Sequence, residues 1–224
     1  MVQNVREKLI KRLQSEVIAW HRLCHRNVSQ LFGIVHLSQK IGRASPWCEH
    51  GTFCNYLEQF FFPSVNRLRL LAQVASAIAY LHTFRPTIVH GDLKGVRPLR
   101  NIPVDEHVYA IITDFGLSKV IEEMSETISK GISSFAGLTR WMAPELIMSL
   151  VEDDGQIPPI TTFSDVYAFG SVCLEVAAGR LPYPHRTTDH AVAVDIIRGV
   201  KPAREPAALF KRAWMSFGIL LGRH

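Results

Sequence analysis

Three short segments of the sequence contain side chains that could carry out chemistry together. They are, in chain order, HGDLK at residues 90–94, TDFG at 113–116 and WMAPE at 141–145. An aspartate can accept a proton or bind a divalent cation, and a lysine can neutralise an anion. A single loop aspartate is more often a turn or cap residue. The order of the segments, followed by a helix that opens with Ser164 and Asp165, predicts instead that they contribute to one site.

The same segments belong to a longer series of phrases that resembles a known family. The phrases are HRN at 25–27, SPW at 45–47, HGDLKG at 90–95, DFGLS at 114–118, RWMAPEL at 140–146 and SDVYAFG at 164–170. From about residue 5 to residue 206 the chain is similar to eukaryotic-type protein kinases, most of all to the tyrosine-kinase-like group of Ser/Thr kinases. The resemblance implies an α+β, bilobal fold with an incomplete small β-rich lobe and a mostly helical large lobe.

The resemblance implies a role for the acidic and basic residues of these segments. Asp92 would accept the proton of a substrate hydroxyl, and Lys94 would neutralise the transferring phosphoryl group. The presence of Lys94 favours Ser or Thr over Tyr as the substrate residue. Asp114 would hold Mg²⁺ between the phosphates of ATP, and Asp165 would accept hydrogen bonds from the backbone of the loop around Asp92. ATP and Mg²⁺ are therefore the implied cofactors, and a protein is the implied substrate.

Two further regions are implied to bind the nucleotide. Residues 45–48 match the hinge, where adenine needs a carbonyl and, two residues later, an N–H. The Pro46 carbonyl and the Cys48 amide satisfy that pattern, and the N–H that proline lacks is not needed there. Glu16 would lie on the mobile helix of the small lobe and contribute to nucleotide binding.

Gly91 replaces the arginine of the family's His-Arg-Asp and leaves an alternative open. Small-molecule kinases of the aminoglycoside and choline type also have His-Gly-Asp, but they lack the DFG, APE and SDVYAFG phrases found here. We rank that interpretation second. The glycine also removes the arginine that would bind a phosphate on the activation segment, so switching through that arginine is not expected.

Other departures concern residues that the family uses in catalysis. Gly33 is the only glycine among the first forty residues, so no glycine-rich loop precedes Glu16, and no strand lysine precedes it either. The family places a metal-binding asparagine five residues after the catalytic aspartate, where this chain has Arg97. An insertion of four residues that starts at Arg97 would leave Asn101 as the second metal ligand. The alternative is that the insertion moves Asn101 away and puts Arg97 in the metal site.

The expected organisation has three parts. Residues 1–47 form a partial small lobe with one helix and two strands, residues 48–206 form the large lobe with the catalytic and activation segments, and residues 207–224 form an atypical tail. Because the tail does not resemble the last helices of the family, we expect a kinase domain truncated at both ends.

These departures lead to two expectations for function. The first is a signalling protein kinase that transfers the ATP γ-phosphate to Ser or Thr of a protein, with weak or no activity in this chain. Loss of one preorganised donor costs roughly 2.7–4 kcal/mol at a transition state, about a hundred- to a thousandfold in rate. The alternative is a pseudokinase-like module that binds partner proteins without catalysis, through the surface near Trp141 and residues 191–198.

Composition argues against several other classes. The 224 residues are 47% hydrophobic with a net charge of +5, and the Lys and Arg residues are dispersed. We therefore expect a solvated basic face and neither a nucleic-acid nor a membrane partner. Four cysteines without a secretory signal predict reduced thiols and a cytoplasmic location. The cluster formed by His21, Cys24 and His25 is too crowded to predict a zinc site.

Hydrophobic periodicity and breaker residues predict the elements that position these segments. Helices are predicted at 5–23, 52–60, 65–82, 164–178 and 191–198, and strands at 31–37, 43–47, 88–89 and 108–112. In the helix at 65–82 one face is apolar, with residues Leu68, Leu71, Val74, Ala75, Ile78 and Leu81. The helix at 164–178 is apolar nearly all round, which is typical of a buried helix.

Overall fold

The computed structural model describes eight stretches of the chain. They are residues 17–18, 20–37, 40–59, 67–93, 101–114, 139–152, 160–178 and 180–202. The elements are, in chain order, strands β1 (Gly33–Leu37) and β2 (Lys40–Ala44), helices α1 (Phe53–Gln59) and α2 (Arg67–Thr83), a 3-10 helix (Thr139–Trp141), and helices α3 (Pro144–Glu152), α4 (Thr162–Ala178) and α5 (Asp189–Ile197). The expected α+β class, with few strands and a mostly helical remainder, is confirmed. The three-part division of the chain stays a prediction.

The small sheet consists of β1 and β2, which pair in antiparallel fashion with Gly33 opposite Ala44. The strand predicted at 31–37 overlaps β1, whereas the one predicted at 43–47 was placed too late. Pro46 explains the difference, because proline has no N–H to donate to a neighbouring strand. The pairing therefore ends before the segment that resembles a hinge.

The main core lies between α2 and α4, which pack against each other. α2 buries the predicted face, although Leu68 and Ala75 are only half-buried; its buried residues are Leu70, Leu71, Val74, Ala77, Ile78 and Leu81. The prediction that α4 is buried all round is wrong for the described part of the chain, because Phe163 and Val166 are 80% and 56% exposed. The buried face of α4 instead includes polar residues, among them Asp165, so its burial follows tertiary contacts rather than hydrophobicity alone.

A second, smaller core joins α3 and α5. Ile147 from α3 packs with Val192 and Ile196 from α5 and with Tyr183 from the loop between α4 and α5. The sequence did not predict α3. This cluster positions the segment that precedes α3, which carries the third of the chemistry-bearing phrases.

The segment after residue 101 forms a turn rather than a regular strand. A single bridge joins Val104 to Ala110, and the carboxylate of Asp105 accepts backbone hydrogen bonds at 2.7 and 3.0 Å within the turn. The strand predicted at 108–112 is therefore reduced to isolated bridges. Residues 88–89 have no strand assignment either. Both predictions were wrong because a short apolar run can remain extended without a partner ladder.

Side-chain caps begin two of the helices. Thr52 Oγ1 accepts a hydrogen bond from the Asn55 N–H at 3.3 Å, as predicted for the start of α1. Thr188 Oγ1 accepts one from the Ala191 N–H at 3.3 Å at the start of α5. The helix predicted at 5–23 lies mostly outside the described residues, and its described residues up to position 21 are helical.

Candidate active site

Asp165, at the start of α4, anchors the loop that precedes Asp92. Its side chain is 2% exposed. Oδ2 accepts a hydrogen bond from the His90 N–H at 2.7 Å, and Oδ1 accepts one from the Gly91 N–H at 2.8 Å. Nε2 of His82, at the end of α2, lies 2.9 Å from Oδ2. The predicted contact between Asp165 and the loop backbone is confirmed, and the same carboxylate also joins α2 to α4.

His90 connects this loop to the segment that carries Thr113 and Asp114. Its imidazole Nε2 lies 3.1 Å from the Thr113 carbonyl, and Nδ1 accepts the Asp92 N–H at 3.2 Å. The carbonyl cannot donate, so Nε2 carries the proton. Burial lowers the pKa of His90, whereas the carboxylates of Asp165, Asp92 and Asp114 oppose that shift. The two predicted catalytic aspartates therefore lie close enough to act on one buried imidazole.

Asn101 lies beside Asp92. The asparagine is 3% exposed, and its Nδ2 donates to the Asp92 carbonyl at 2.8 Å and to Asp92 Oδ2 at 2.9 Å. The backbone carbonyl of Asn101 accepts the Thr113 N–H at 3.0 Å. The extra residues between Asp92 and Asn101 therefore do not separate these two side chains. Arg97, the alternative occupant of this position, lies outside the described residues.

Asp114 has a backbone conformation that few non-glycine residues adopt. Its φ is 66°, in the left-handed region that aspartate tolerates better than most residues. Thr113 Oγ1 donates to Asp114 Oδ1 at 3.3 Å. Backbone strain of this kind persists where the surrounding structure determines it, and it is common at functional sites. The position of Asp114 is thus fixed by the same residues that contact His90 and Asn101.

The donor set of this site suits a magnesium ion that is bound to phosphates. Asp114 offers a carboxylate and Asn101 a carbonyl oxygen, and Mg²⁺ in nucleotide sites is held by one or two such protein oxygens together with substrate phosphates. The described residues contain no cluster of three or more His, Cys, Asp or Glu that could hold a metal by themselves. The residues present therefore fit Mg²⁺ that arrives with a nucleotide better than a separate all-protein metal site.

Comparison with known proteins agrees with this geometry. A family profile described as "Protein kinase domain" matches residues 1–213. This chain belongs to the protein kinase family. It is 26% identical over 202 residues to "Serine/threonine-protein kinase STY17" of Arabidopsis thaliana, which covers 89% of this chain and 32% of that protein.

Two other relatives broaden the comparison. The kinase chain is 34% identical over 153 residues to "Light-sensor Protein kinase" of Ceratodon purpureus, covering 63% of this chain and 11% of that protein. It is 29% identical over 177 residues to "L-type lectin-domain containing receptor kinase I.7" of Arabidopsis thaliana, covering 77% and 24%. The chain thus spans a third or less of the length of these relatives. No helix in the described stretches has the length and apolar character needed to cross a membrane.

The hinge-like segment of the kinase chain follows β2. Pro46 is exposed and Cys48 is half-buried. The Cys48 carbonyl accepts the Gly51 N–H at 3.1 Å, whereas no hydrogen bond within the described residues uses the Pro46 carbonyl or the Cys48 N–H. Burial raises the pKa of the Cys48 thiol, and the charges of Asp105 and Glu106 act in the same direction. The two backbone groups predicted to bind adenine therefore have no competing partner in this part of the chain.

Gly91 has a left-handed backbone and a close neighbour. Its φ is 77°, and a Cβ at this position would lie 3.2 Å from Cγ2 of Ile160. An arginine here would therefore strain the backbone and displace the isoleucine. Ile160 fills the space toward which the side chain of the usual His-Arg-Asp arginine would project.

Arg140 fastens the segment before α3 to the loop between α4 and α5. The guanidinium is nearly buried, and Nη1 donates to the carbonyls of Pro182 and Tyr183 at 2.7 and 2.9 Å. Nη2 donates to the Arg186 carbonyl at 2.7 Å. Tyr183 has a φ of 54° and is fully buried. No local sequence pattern indicates this cluster, because its partners are more than forty residues away from Arg140.

Trp141 packs inward rather than forming a surface. Its side chain is 1% exposed, so Trp141 itself belongs to the core, and the partner-binding surface that the pseudokinase alternative places near it stays a prediction. Burial raises the pKa of Glu175, on α4, to about 7. The nearby Trp141 indole opposes that shift, although Trp141 Nε1 and Glu175 Oε2 have no partner in hydrogen-bonding geometry within the described structure. Sequence analysis did not identify Glu175.

Some predicted residues lie outside the described stretches. Glu16 and Lys94 are among them, and so is the segment that follows Asp114. Their predicted roles stay predictions. His25, which was weighed as a zinc ligand, instead stacks on Tyr80 with ring centroids 4.9 Å apart.

Proposed function

We propose that this chain is a Ser/Thr protein kinase of the tyrosine-kinase-like group that transfers the γ-phosphate of ATP to a protein hydroxyl. The observation that carries the proposal is the position of Asn101. Its side chain donates to the backbone and the carboxylate of Asp92, and its backbone carbonyl accepts the N–H of Thr113, the residue before Asp114. One proton acceptor and two metal-ligand side chains thus come together from three separate segments. That arrangement suits phosphoryl transfer, where the protein mainly positions the reactants and stabilises charge.

In the proposed reaction Asp92 accepts the proton of the substrate hydroxyl. Its carboxylate is held by Asn101 at 2.9 Å, and its backbone N–H is held by His90 at 3.2 Å. Asp165 in turn fixes the backbone of His90 and Gly91. The base is therefore preorganised by contacts that do not involve the substrate, which limits the reorganisation needed during transfer.

Magnesium would neutralise the charge on the nucleotide phosphates when bound. Asp114 and the carbonyl oxygen of Asn101 are the residues that we expect to hold it. The Asn101 amide nitrogen donates to Asp92, so its Oδ1 is the atom suited to a cation. Lys94 is proposed to neutralise the transferred phosphoryl group, with Glu16 contributing to nucleotide binding from the small lobe.

The hinge is proposed to bind adenine through the Pro46 carbonyl and the Cys48 N–H. The cysteines at positions 24, 48 and 173 are free thiols, which supports work in a reducing compartment such as the cytoplasm. The names of the relatives STY17 and STY46 include "Serine/threonine-protein kinase", which supports Ser or Thr as the acceptor residue.

Calorimetric titration of Mg·ATP tests the proposal. We expect binding to the unmodified chain and to Asp92→Asn, and a loss of binding in Asp114→Ala, because Asp114 is the carboxylate assigned to the metal. Glu106→Gln is the matched control, since Glu106 is an exposed acid in the neighbouring turn. Heat that is unchanged in Asp114→Ala would contradict the metal assignment. A chain that binds no nucleotide at all would favour the pseudokinase-like module instead.

Phosphate transfer is measured separately from nucleotide binding. Autophosphorylation with radiolabelled ATP, followed by mass spectrometry, should show modified Ser or Thr residues that disappear in Asp92→Asn. Asp92→Asn keeps the side-chain shape but lacks an acceptor of comparable basicity. Transfer at an undiminished rate in this variant would show that Asp92 is not the base.

A further inference from the structure

We propose that exposed arginines beside the outer face of α2 form a docking surface for an acidic, extended segment of another protein. The guanidinium surface, as we define it, comprises Arg22, Arg26, Arg69 and Arg85, all of which are exposed. It contains none of the residues assigned to phosphate transfer, and the proposal does not depend on that transfer.

Aromatic rings orient the guanidinium groups of this surface. The Cζ of Arg22 lies 5.7 Å from the ring centroid of Phe84. Those of Arg26 and Arg69 lie 4.5 and 5.6 Å from the Tyr109 ring, and Arg26 Nη1 also donates to the Tyr109 hydroxyl at 2.9 Å. Cations above ring faces are attracted by the ring quadrupole. Because the rings already orient these arginines, binding of a partner costs less arginine side-chain entropy than it would with freely moving arginines.

One face of α2 supports the rings from beneath. Gln73 accepts the Ala110 N–H at 2.8 Å, Ser76 bonds to His25 at 3.2 Å, and the Tyr80 hydroxyl accepts the Cys24 N–H at 3.0 Å. Residues spaced by three or four positions on a helix share one face. The segment that carries Arg22 and Arg26 and the turn that carries Tyr109 are thus both fastened to the same rigid helix.

Three of these four arginines carry positive charge that the described residues do not neutralise. No carboxylate within this part of the chain forms a salt bridge with Arg22, Arg26 or Arg85, whereas Arg186 forms a bidentate pair with Asp195 at 2.7 Å elsewhere. Asp105, near Tyr109, is engaged with backbone N–H groups. The arrangement therefore favours an anionic partner.

The dimensions and chemistry favour a carboxylate-rich peptide. The helix between Arg69 and Thr83 is about 21 Å long at 1.5 Å per residue, which an extended chain spans with about six residues at 3.3 Å each. Guanidinium groups bind carboxylates in a planar, bidentate way. A membrane surface would instead require apolar side chains to insert, and the rings here are half-buried beneath the arginines.

Fluorescence anisotropy with a labelled peptide of alternating Glu and Gly, about seven residues long, tests this surface. We expect binding at low ionic strength that weakens as salt is added. The double variant R22A/R26A should lose about tenfold in affinity, since each exposed ion pair contributes up to about threefold. R198A/K201A is the matched control, because it removes the same charge from exposed positions at the end of α5; it should retain the affinity.

Each remaining outcome is decisive. Equal losses in the two double variants would show an effect of net charge alone, and absence of peptide binding would overturn the proposal. Binding to vesicles of phosphatidylserine and phosphatidylcholine in place of the peptide would overturn it as well. R22K/R26K should recover only part of the affinity, because lysine keeps the charge but not the planar fork. Mg·ATP affinity of R22A/R26A should match that of the unmodified chain, which separates this test from that of the proposed kinase activity. Thermal stability should fall only slightly, because the contacts with Phe84 and Tyr109 are lost.

Discussion

Two buried aspartates hold two loops of this molecule by different chemistry. Asp165 accepts hydrogen bonds from the backbone of His90 and Gly91, whereas Asp195 accepts a bidentate pair from the Arg186 side chain. The first contact fixes the main chain of a loop whatever its side chains are. The second fixes side chains only, because His185 Nε2 also lies 2.9 Å from Asp195 Oδ2. The loop that we propose holds the reacting Asp92 is the one held by its backbone.

The loop at Asp195 requires a second cation to fix its main chain. Arg140 supplies it, by donating to the carbonyls of Pro182, Tyr183 and Arg186. The Arg186 pair lowers the pKa of Asp195 to about 2, so this carboxylate stays ionised over the whole neutral range. The loop is therefore held by side chains that can be substituted one at a time.

The largest effect is expected for Asp165→Ala. The substitution leaves the buried N–H of His90 and the part-buried N–H of Gly91 without acceptors. Because each loss costs about 1–3 kcal/mol, the free energy of unfolding should fall by about 4 kcal/mol. Urea denaturation followed by tryptophan fluorescence measures this. Asp165→Asn keeps one acceptor oxygen and should lose less. If the two variants were equally destabilised, backbone anchoring would not be what distinguishes the first loop.

Arg140→Lys should have the next largest effect. A single ammonium group cannot reach three carbonyls in the planar pattern of the guanidinium, and lost bonds to a charged donor cost about 1.5–3 kcal/mol each. We expect a fall in stability of about 3 kcal/mol. Arg198→Lys makes the same substitution at an exposed position. It is the control, and it should leave the free energy of unfolding unchanged. A similarly small change in both variants would mean that the second loop is held by Arg186 alone.

Glu175→Gln should stabilise the chain by an amount that increases as the pH rises from about 4.5 to about 7. The pKa of Glu175 is raised from 4.5 to about 7 by burial, so the folded state retains a proton that the unfolded state releases. Stability is complete below about pH 4.5 and decreases as the pH rises to about 7. At pH 8 the glutamine variant should gain about 2 kcal/mol.

Urea denaturation of the unmodified chain and of the Glu175→Gln variant at a series of pH values measures this difference. The gain should shrink toward zero at pH 4.5, where glutamate and glutamine are both uncharged. A gain that is independent of pH would attribute the effect to packing instead. It would also show that the negative charge of Glu175 does not lower the stability of the folded state.

Thr188→Ala should have the smallest effect. It removes the cap of α5, the helix that carries Asp195, and such caps contribute about 1 kcal/mol. Circular dichroism during thermal unfolding measures the loss. Thr188→Ser should restore most of it, because serine also offers an oxygen. No difference between the serine and alanine variants would show that the second loop does not depend on where α5 begins.

Much of the site was predictable because its residues lie in contiguous phrases. Asp92 and Asp114 follow from HGDLK and TDFG. Asp165 was predictable for the same reason. Counting five residues after Asp92 gives Arg97, so Asn101 was predicted only with an insertion of four residues, and Arg97 stayed the alternative. Helices α2 and α5 were predictable from spacing and from the residues at their ends, since those signals are local.

The remaining features depend on contacts that no local pattern encodes. No local pattern distinguishes His82 from other residues in the last turn of α2, because its partner Asp165 is 83 residues away. Arg140 and Glu175 are significant only because distant segments fold over them. The exposure of Phe163 was missed for the same reason, since an apolar sequence does not show which face of a helix is covered.

Ile160 limits what the loop at Gly91 could become. Because the isoleucine lies 3.2 Å from where a Cβ would be, an arginine introduced at position 91 would not by itself install a phosphate sensor. Two changes would be needed together, a longer side chain in the loop and a smaller one at position 160. A chain that carries this pair therefore needs more than a substitution at position 91 to place a phosphate-binding side chain there, because the left-handed backbone and the neighbouring isoleucine both oppose it.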